Sequence, residues 1–105
     1  MAAVEIASQL QPILERIEGP TFNHKVAHLL ARQMRDHLAD CEREMLDLEI
    51  KYRADYETFK RQLEAGELGD PFSFELEQDA MRWDDLRAEK QHWLAQLVEI
   101  ESFLA

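Results

Sequence analysis

The chain has little of what interrupts helices, cross-links secreted domains or crosses membranes. It contains only 3 Gly and 3 Pro in 105 residues, so long helices meet few breaks. The single cysteine, Cys41, excludes an internal disulfide framework and is typical of a reducing cytosol. No run approaches the ~18 apolar residues that a transmembrane helix needs, and the segment around Glu5 lacks the basic region of a secretory signal. We therefore expect a cytoplasmic protein that does not associate with membranes.

Signatures of catalysis are also missing from the sequence. There is no Gly-rich phosphate loop, no G-x-S-x-G turn and no Cys/His nucleophile arrangement. His24 and His28 have the four-residue spacing of two metal ligands on one helix face, and His37 and Cys41 repeat it, but neither pair has a third ligand nearby. We expect helix-surface histidines, no catalytic residue, no metal site and no cofactor.

What the chain does contain is two stretches of apolar residues at the alternating three- and four-residue steps of a coiled-coil seam. The first stretch consists of Met34, Leu38, Cys41, Met45, Leu48 and Tyr52. The second consists of Trp83, Leu86, Lys90, Trp93, Leu97, Ile100 and Leu104. Apart from Cys41 and Leu104, these residues are our candidate interface, either between helices of one chain or with a partner or second copy. Lys90 is a charge inside the stripe, of the kind that fixes register or pairs with an acid across an interface.

The periodicity predicts an all-α protein: a long antiparallel helical hairpin or coiled coil with a short N-terminal helix, as one domain over 1–105. We predict an N-terminal helix within 1–19, ended by Gly19 and Pro20. Pro12 lies inside this segment, so the helix is either kinked there or begins near Gln11 with Pro12 in its first turn. A long helix over 23–53 follows, with Thr21 or Asn23 as its cap.

The seam spacing shifts after this long helix. A strict heptad would place Asp55 in the seam, whereas the apolar series resumes at Tyr56. The shift indicates either a four-residue insertion in a continuous helix or a break, with Asp55 capping a short helix over 55–65. A glycine-containing turn over 66–72 and a return helix over 74–104 complete the prediction. We expect five aromatic residues to gather near this turn: Tyr52, Tyr56, Phe59, Phe72 and Phe74.

Charge is unevenly distributed along the chain. Of the formal net charge of -10, little comes from residues 1–63, which have 11 acidic and 9 basic side chains, whereas residues 64–105 have 11 acidic and 3 basic ones. An acidic half repels nucleic-acid phosphates and anionic membranes, and it suits a basic protein partner or a solvated face. We take Glu75, Glu77, Asp84 and Asp85 as the candidate acidic partner face.

One part of the sequence resembles a known family. The segment from Lys51 through Phe59, the Leu63–Asp70 turn region, and the run to Asp79 and Trp83 are similar to a pattern in small prokaryotic antitoxin-like proteins, the TumA-like antitoxins among them. The resemblance covers about residues 48–97. Arg53 stands where that pattern usually has Gly, and Asp55 where it has Ser or Thr. The resemblance implies a non-enzymatic binder that neutralises a small toxin encoded beside it.

Function is therefore expected to lie in protein contact. The leading hypothesis is an antitoxin-like protein that buries the surface of a small basic toxin. The alternative is a self-associating coiled-coil scaffold or adaptor, and a homo-oligomer is expected in either case. Direct nucleic-acid binding is disfavoured because acidic residues alternate with the basic ones along the predicted long helix, which leaves no purely basic stripe.

Overall fold

The computed structural model describes residues 5–105, and residues 1–4 of the predicted N-terminal helix lie outside this range. Four helices and no strand occur within it: α1 (Gln11–Leu14), α2 (Phe22–Tyr52), α3 (Tyr56–Glu64) and α4 (Phe74–Leu104). α2 packs against α4, and the molecule measures 59 × 28 × 27 Å. The predicted all-α helical hairpin is confirmed.

The hairpin is built from two helices of 31 residues each. Thr21, one of the two predicted caps, accepts a hydrogen bond from the backbone N–H of His24 at 3.1 Å and so satisfies one of the free amides of the first turn of α2. Ion pairs between Arg35 and Glu101 (3.3 Å) and between Lys51 and Glu75 (2.6 Å) show that α2 and α4 run antiparallel. We call the end with the α3–α4 connection the closed end, and the other the open end.

The N-terminal helix is much shorter than predicted. Only Gln11–Leu14 is helical in the described part of 1–19, and the chain from Glu15 to Thr21 forms turns and bends. Pro12 lies in the first turn, as in the second of our two alternatives. The physical reason is that Pro12 has no N–H to bond to a preceding turn, while Gly19, at φ +131°, directs the chain away from a helix.

A break separates α2 from α3, so the continuous-helix alternative is wrong. Arg53 ends α2 in the left-handed conformation, at φ 51° and ψ 41°, the role that Gly usually has after a helix. Asp55 then caps α3 by accepting from the N–H of Thr58 at 2.8 Å. α3 ends at Glu64, and Gly66, at φ +73°, takes the left-handed conformation in the turn.

The main apolar core lies at the closed end, where three helices meet. It contains Cys41 and Leu48 from α2, Phe59 from α3 and, from α4, Leu76, Ala80, Trp83 and Leu86. Phe59, Trp83 and Leu86 are fully buried. Toward the open end α3 is absent, and the N-terminal segment lies against the start of α2, where Lys25 donates to the carbonyl of Ile17 at 2.5 Å. α4 has no buried residue beyond Leu86. Despite their length, neither long helix nor any other helix in residues 5–105 is apolar enough to cross a bilayer.

Candidate functional site

The predicted interface residues face one another inside the hairpin. Four of them are buried: Leu38, Leu48, Trp83 and Leu86. The others are half-buried along the same seam: Met34, Met45, Tyr52, Lys90, Trp93, Leu97 and Ile100. The seam therefore joins α2 to α4 of one chain, and any external partner contacts a different surface or the half-buried part of this one.

Lys90 has the role that its position suggests. Its Nζ lies 3.6 Å from an oxygen of Glu42 on α2, so the charge in the seam is paired across the hairpin. Arg82 similarly bridges Glu44 on α2 at 2.8 Å and Glu89 on its own helix at 3.3 Å. These partly exposed pairs contribute modestly to stability, but their geometry is consistent with only one register of the two helices.

A partly exposed polar cluster lies at the end of the seam near the break. The Tyr52 hydroxyl and the Lys51 ammonium both donate to Asp79, the latter at 2.6 Å. Burial, and next to it the hydrogen bond to Asp79, raise the pKa of Tyr52 from 10.0 to about 12. Burial would raise the pKa of Asp79, but the bonds from Lys51 and Tyr52 outweigh it and hold this pKa below its ordinary value.

α3 is attached to α4 by charges as well as by Phe59. Glu57 lies 3.7 Å from Arg87, whose guanidinium is 4.0 Å from the centre of the Tyr56 ring. Lys60 lies 3.5 Å from Asp84, which also accepts from the Tyr56 hydroxyl. The basic residues of α2 and α3 thus neutralise part of the acidic helix that we expected to face a partner.

The four residues of the candidate acidic face divide into two pairs. Glu75 and Asp84 are engaged within the chain, by Lys51 and by Lys60 with Tyr56 respectively. Glu77 and Asp85 are exposed on the outer side of α4, and neither forms an ion pair with any residue that the structure describes. Despite these ion pairs, the excess of negative charge in this part of the chain is large, because residues 39–91 contain 16 acidic and 8 basic side chains.

Two phenylalanines project from the closed end. Phe72 is 81% exposed and Phe74 is 80% exposed, the highest values among the exposed large apolar side chains. Asp70 accepts from the N–H of Phe72 at 3.0 Å, which orders the turn that presents them. We name this surface the aromatic tip and define it by Phe72 and Phe74, with the flanking acids Glu67, Asp70, Glu75 and Glu77.

The expected cluster of five aromatics is therefore only partly correct. Tyr52 and Phe59 pack together at 4.7 Å, and Trp83 lies 4.9 Å from Phe59 and 5.8 Å from Tyr56, measured between ring centres. Phe72 and Phe74 remain outside this cluster because Pro71 and the start of α4 direct the turn away from it.

A second apolar surface lies at the open end, and of its lining the sequence analysis identified only Ile100. It is a groove of about 330 Å³ between the start of α2 and the end of α4. We name it the open-end groove, and its lining consists of Asn23, Val26, Ala27, Leu30, Gln96, Glu99, Ile100 and Phe103. Leu30 is 45% exposed and Phe103 is 51% exposed. In the sequence, the four-residue spacing of Val26 and Leu30 indicates that they share one face of α2 beside the seam, and this spacing could have predicted the groove.

The histidines have packing and surface roles. His37 stacks on Trp93 with ring centres 4.3 Å apart, and His24 lies 5.2 Å from Phe103. His28 is 3.8 Å from Glu18, and the Cys41 thiol, whose pKa is raised by burial and by Glu89, donates to that carboxylate at 3.5 Å. Within residues 5–105 no group of three or more His, Cys, Asp or Glu side chains is placed to hold a metal ion.

Comparison with known proteins adds no relative to this picture. No protein family, no curated protein and no solved structure matches the chain. The resemblance to antitoxin-like proteins stays a prediction, and the aromatic tip and the open-end groove are the two exposed apolar surfaces that a partner could contact.

Proposed function

We propose that this chain is a non-enzymatic, protein-binding helical hairpin that neutralises a small basic protein, in the manner of the antitoxin of a toxin–antitoxin module. The observation that carries the proposal is the aromatic tip, where Phe72 and Phe74 stand about four-fifths exposed among acidic side chains. Exposed aromatic side chains are effective interface anchors, because their burial in a partner's pocket removes a large apolar area from water.

The charge around the tip supports a basic partner. Residues 39–91, which include the closed end, have twice as many acidic as basic side chains. Among them, Glu77 and Asp85 form no ion pair with any described residue. Such a surplus attracts a positively charged protein and raises its association rate, while the phenylalanines set how slowly the complex dissociates.

The first experiment expresses the product of the neighbouring open reading frame, where that product is small and basic, alone and together with this chain. We expect growth arrest alone and recovery on co-expression. Phe72→Ala with Phe74→Ala should abolish recovery, since loss of a central aromatic anchor costs ~2 kcal/mol or more. The matched control is Leu46→Ala with Ile50→Ala, an exposed apolar pair on the outer side of α2 that should leave recovery intact.

The second experiment measures the association rate with that partner against salt concentration. Glu77→Gln with Asp85→Asn should slow association at low salt and have little effect at high salt, because exposed charges are screened beyond ~8 Å at physiological ionic strength. Circular dichroism should remain unchanged. A harmless neighbour, or one whose rescue survives loss of both phenylalanines, would remove the basis of the proposal.

A further inference from the structure

The open half of the hairpin is incompletely covered. α4 buries Leu76, Ala80, Trp83 and Leu86, all in its first half, where α3 adds a third helix. In its second half the seam residues Trp93, Leu97, Ile100 and Leu104 are only half-buried. α2 buries Ala27, Ala31 and Leu38 in this half, and the two alanines, which are small, leave the open-end groove between the helices.

Charge distinguishes this half from the rest of the molecule. Residues 5–38 and 92–105, which form this half together with the N-terminal segment on the start of α2, contain 6 acidic and 4 basic side chains. Residues 39–91 contain 16 acidic and 8 basic ones. Two copies that meet through their closed ends therefore bring many like charges together, whereas two copies that meet through their open ends bring few. A basic partner, conversely, finds only a small acidic surplus at the open end.

From these two observations we infer that the open-end groove binds a second copy of this chain. In a two-fold symmetric contact, the same patch is used by both subunits, so a side chain that projects beside the groove of one copy can enter the groove of the other. Phe103, half-exposed at the edge of the groove, is that side chain, and Val26 and Leu30 form the wall that it contacts. The two open halves together form a four-helix arrangement.

The size of the patch sets the expected affinity. About 15 residues of each helix, at 1.5 Å per residue, give a face roughly 22 Å long, and two helices packed ~10 Å apart make it roughly 20 Å wide. That face is about half of the ~800 Å² per partner of a standard stable interface. The dimer should therefore dissociate in the micromolar range, and the aromatic tips at its two far ends remain free for other partners.

The test is sedimentation of the full chain between about 1 and 500 µM. We expect the wild type to move from the 12.4 kDa monomer toward twice that mass as concentration rises. Leu30→Glu should keep the chain monomeric over the same range. Leu46→Glu is the matched control, because Leu46 is 52% exposed on the same helix but outside the groove, and the added charge is identical. It should dimerise as the wild type does.

Several results would overturn the inference. A wild type that stays monomeric up to 500 µM excludes the dimer, and equal weakening by Leu30→Glu and Leu46→Glu means that net charge, not the groove, controls association. If the wild type is monomeric and Leu30→Glu prevents neutralisation of a partner, the groove binds that partner instead. Circular dichroism identical in the three proteins ensures that the comparison concerns folded chains.

Discussion

Replacement of Phe59 by alanine is the strongest test of the three-helix core. Phe59 is the only fully buried residue of α3, and its ring lies 4.7 Å from that of Tyr52 and 4.9 Å from that of Trp83. Truncation of a buried Phe costs ~3–5 kcal/mol through lost burial and the cavity that remains. A free helix of nine residues is unstable in water, so α3 should undock when this anchor is removed.

The expected loss is a large share of the total stability. Small domains unfold with about 5–15 kcal/mol, and urea lowers this by ~1–3 kcal/mol per molar. Phe59→Ala should therefore lower the midpoint of urea unfolding by about 2 M. Trp83, which is fully buried beside Phe59, should also become exposed in the native state and shift its fluorescence to the red, as read in a Trp93→Phe background.

Phe72→Ala is the control, since it removes the same atoms from a side chain that is 81% exposed. Its free energy of unfolding should change by less than ~0.5 kcal/mol, as for most surface substitutions. If Phe59→Ala costs less than ~1 kcal/mol, or no more than Phe72→Ala, the docking of α3 through Phe59 is refuted.

Two further predictions concern the segment where α2 ends. In the folded chain the pKa of Tyr52 is raised from 10.0 to about 12. Between pH 10 and 12 the hydroxyl therefore loses its proton in the unfolded chain but keeps it in the folded one, so the free energy of unfolding should fall as pH rises through that window. Tyr52→Phe should flatten this fall in urea unfolding measured at pH 9, 10 and 11, and an unchanged slope would contradict the assignment. Arg53→Gly should raise the free energy of unfolding by about 0.5–1 kcal/mol. The left-handed conformation costs a residue with a side chain ~1–2 kcal/mol, which glycine avoids, but glycine loses more conformational entropy on folding and this offsets part of the gain. A lower urea midpoint for Arg53→Gly would show that the left-handed turn is not strained.

The sequence alone determined the helical elements and most of their ends. Gly66 acts through a backbone preference within a few residues, so its role in the turn could be read without knowledge of the fold. Thr21 and Asp55 act just as locally, but the sequence left open whether Asn23 caps α2 and whether the helix continues through Asp55. The seam was readable for the same reason, because a repeated spacing states which side of each helix is apolar. The extent of α1 was not determined, since Pro12 permits two local solutions and only one of them was adopted.

Tertiary structure decided what each surface contacts. Periodicity identifies an apolar stripe but not the element that covers it. Because α3 packs at the closed end, Phe59 buries Trp83, while Leu30 and Phe103 at the open end stay partly exposed. Likewise, a carboxylate is charged in any fold, but whether it is free depends on register: the packing places Lys51 beside Glu75 and leaves Glu77 unpaired. Contacts between residues far apart in the chain come from helix packing, which no local pattern encodes.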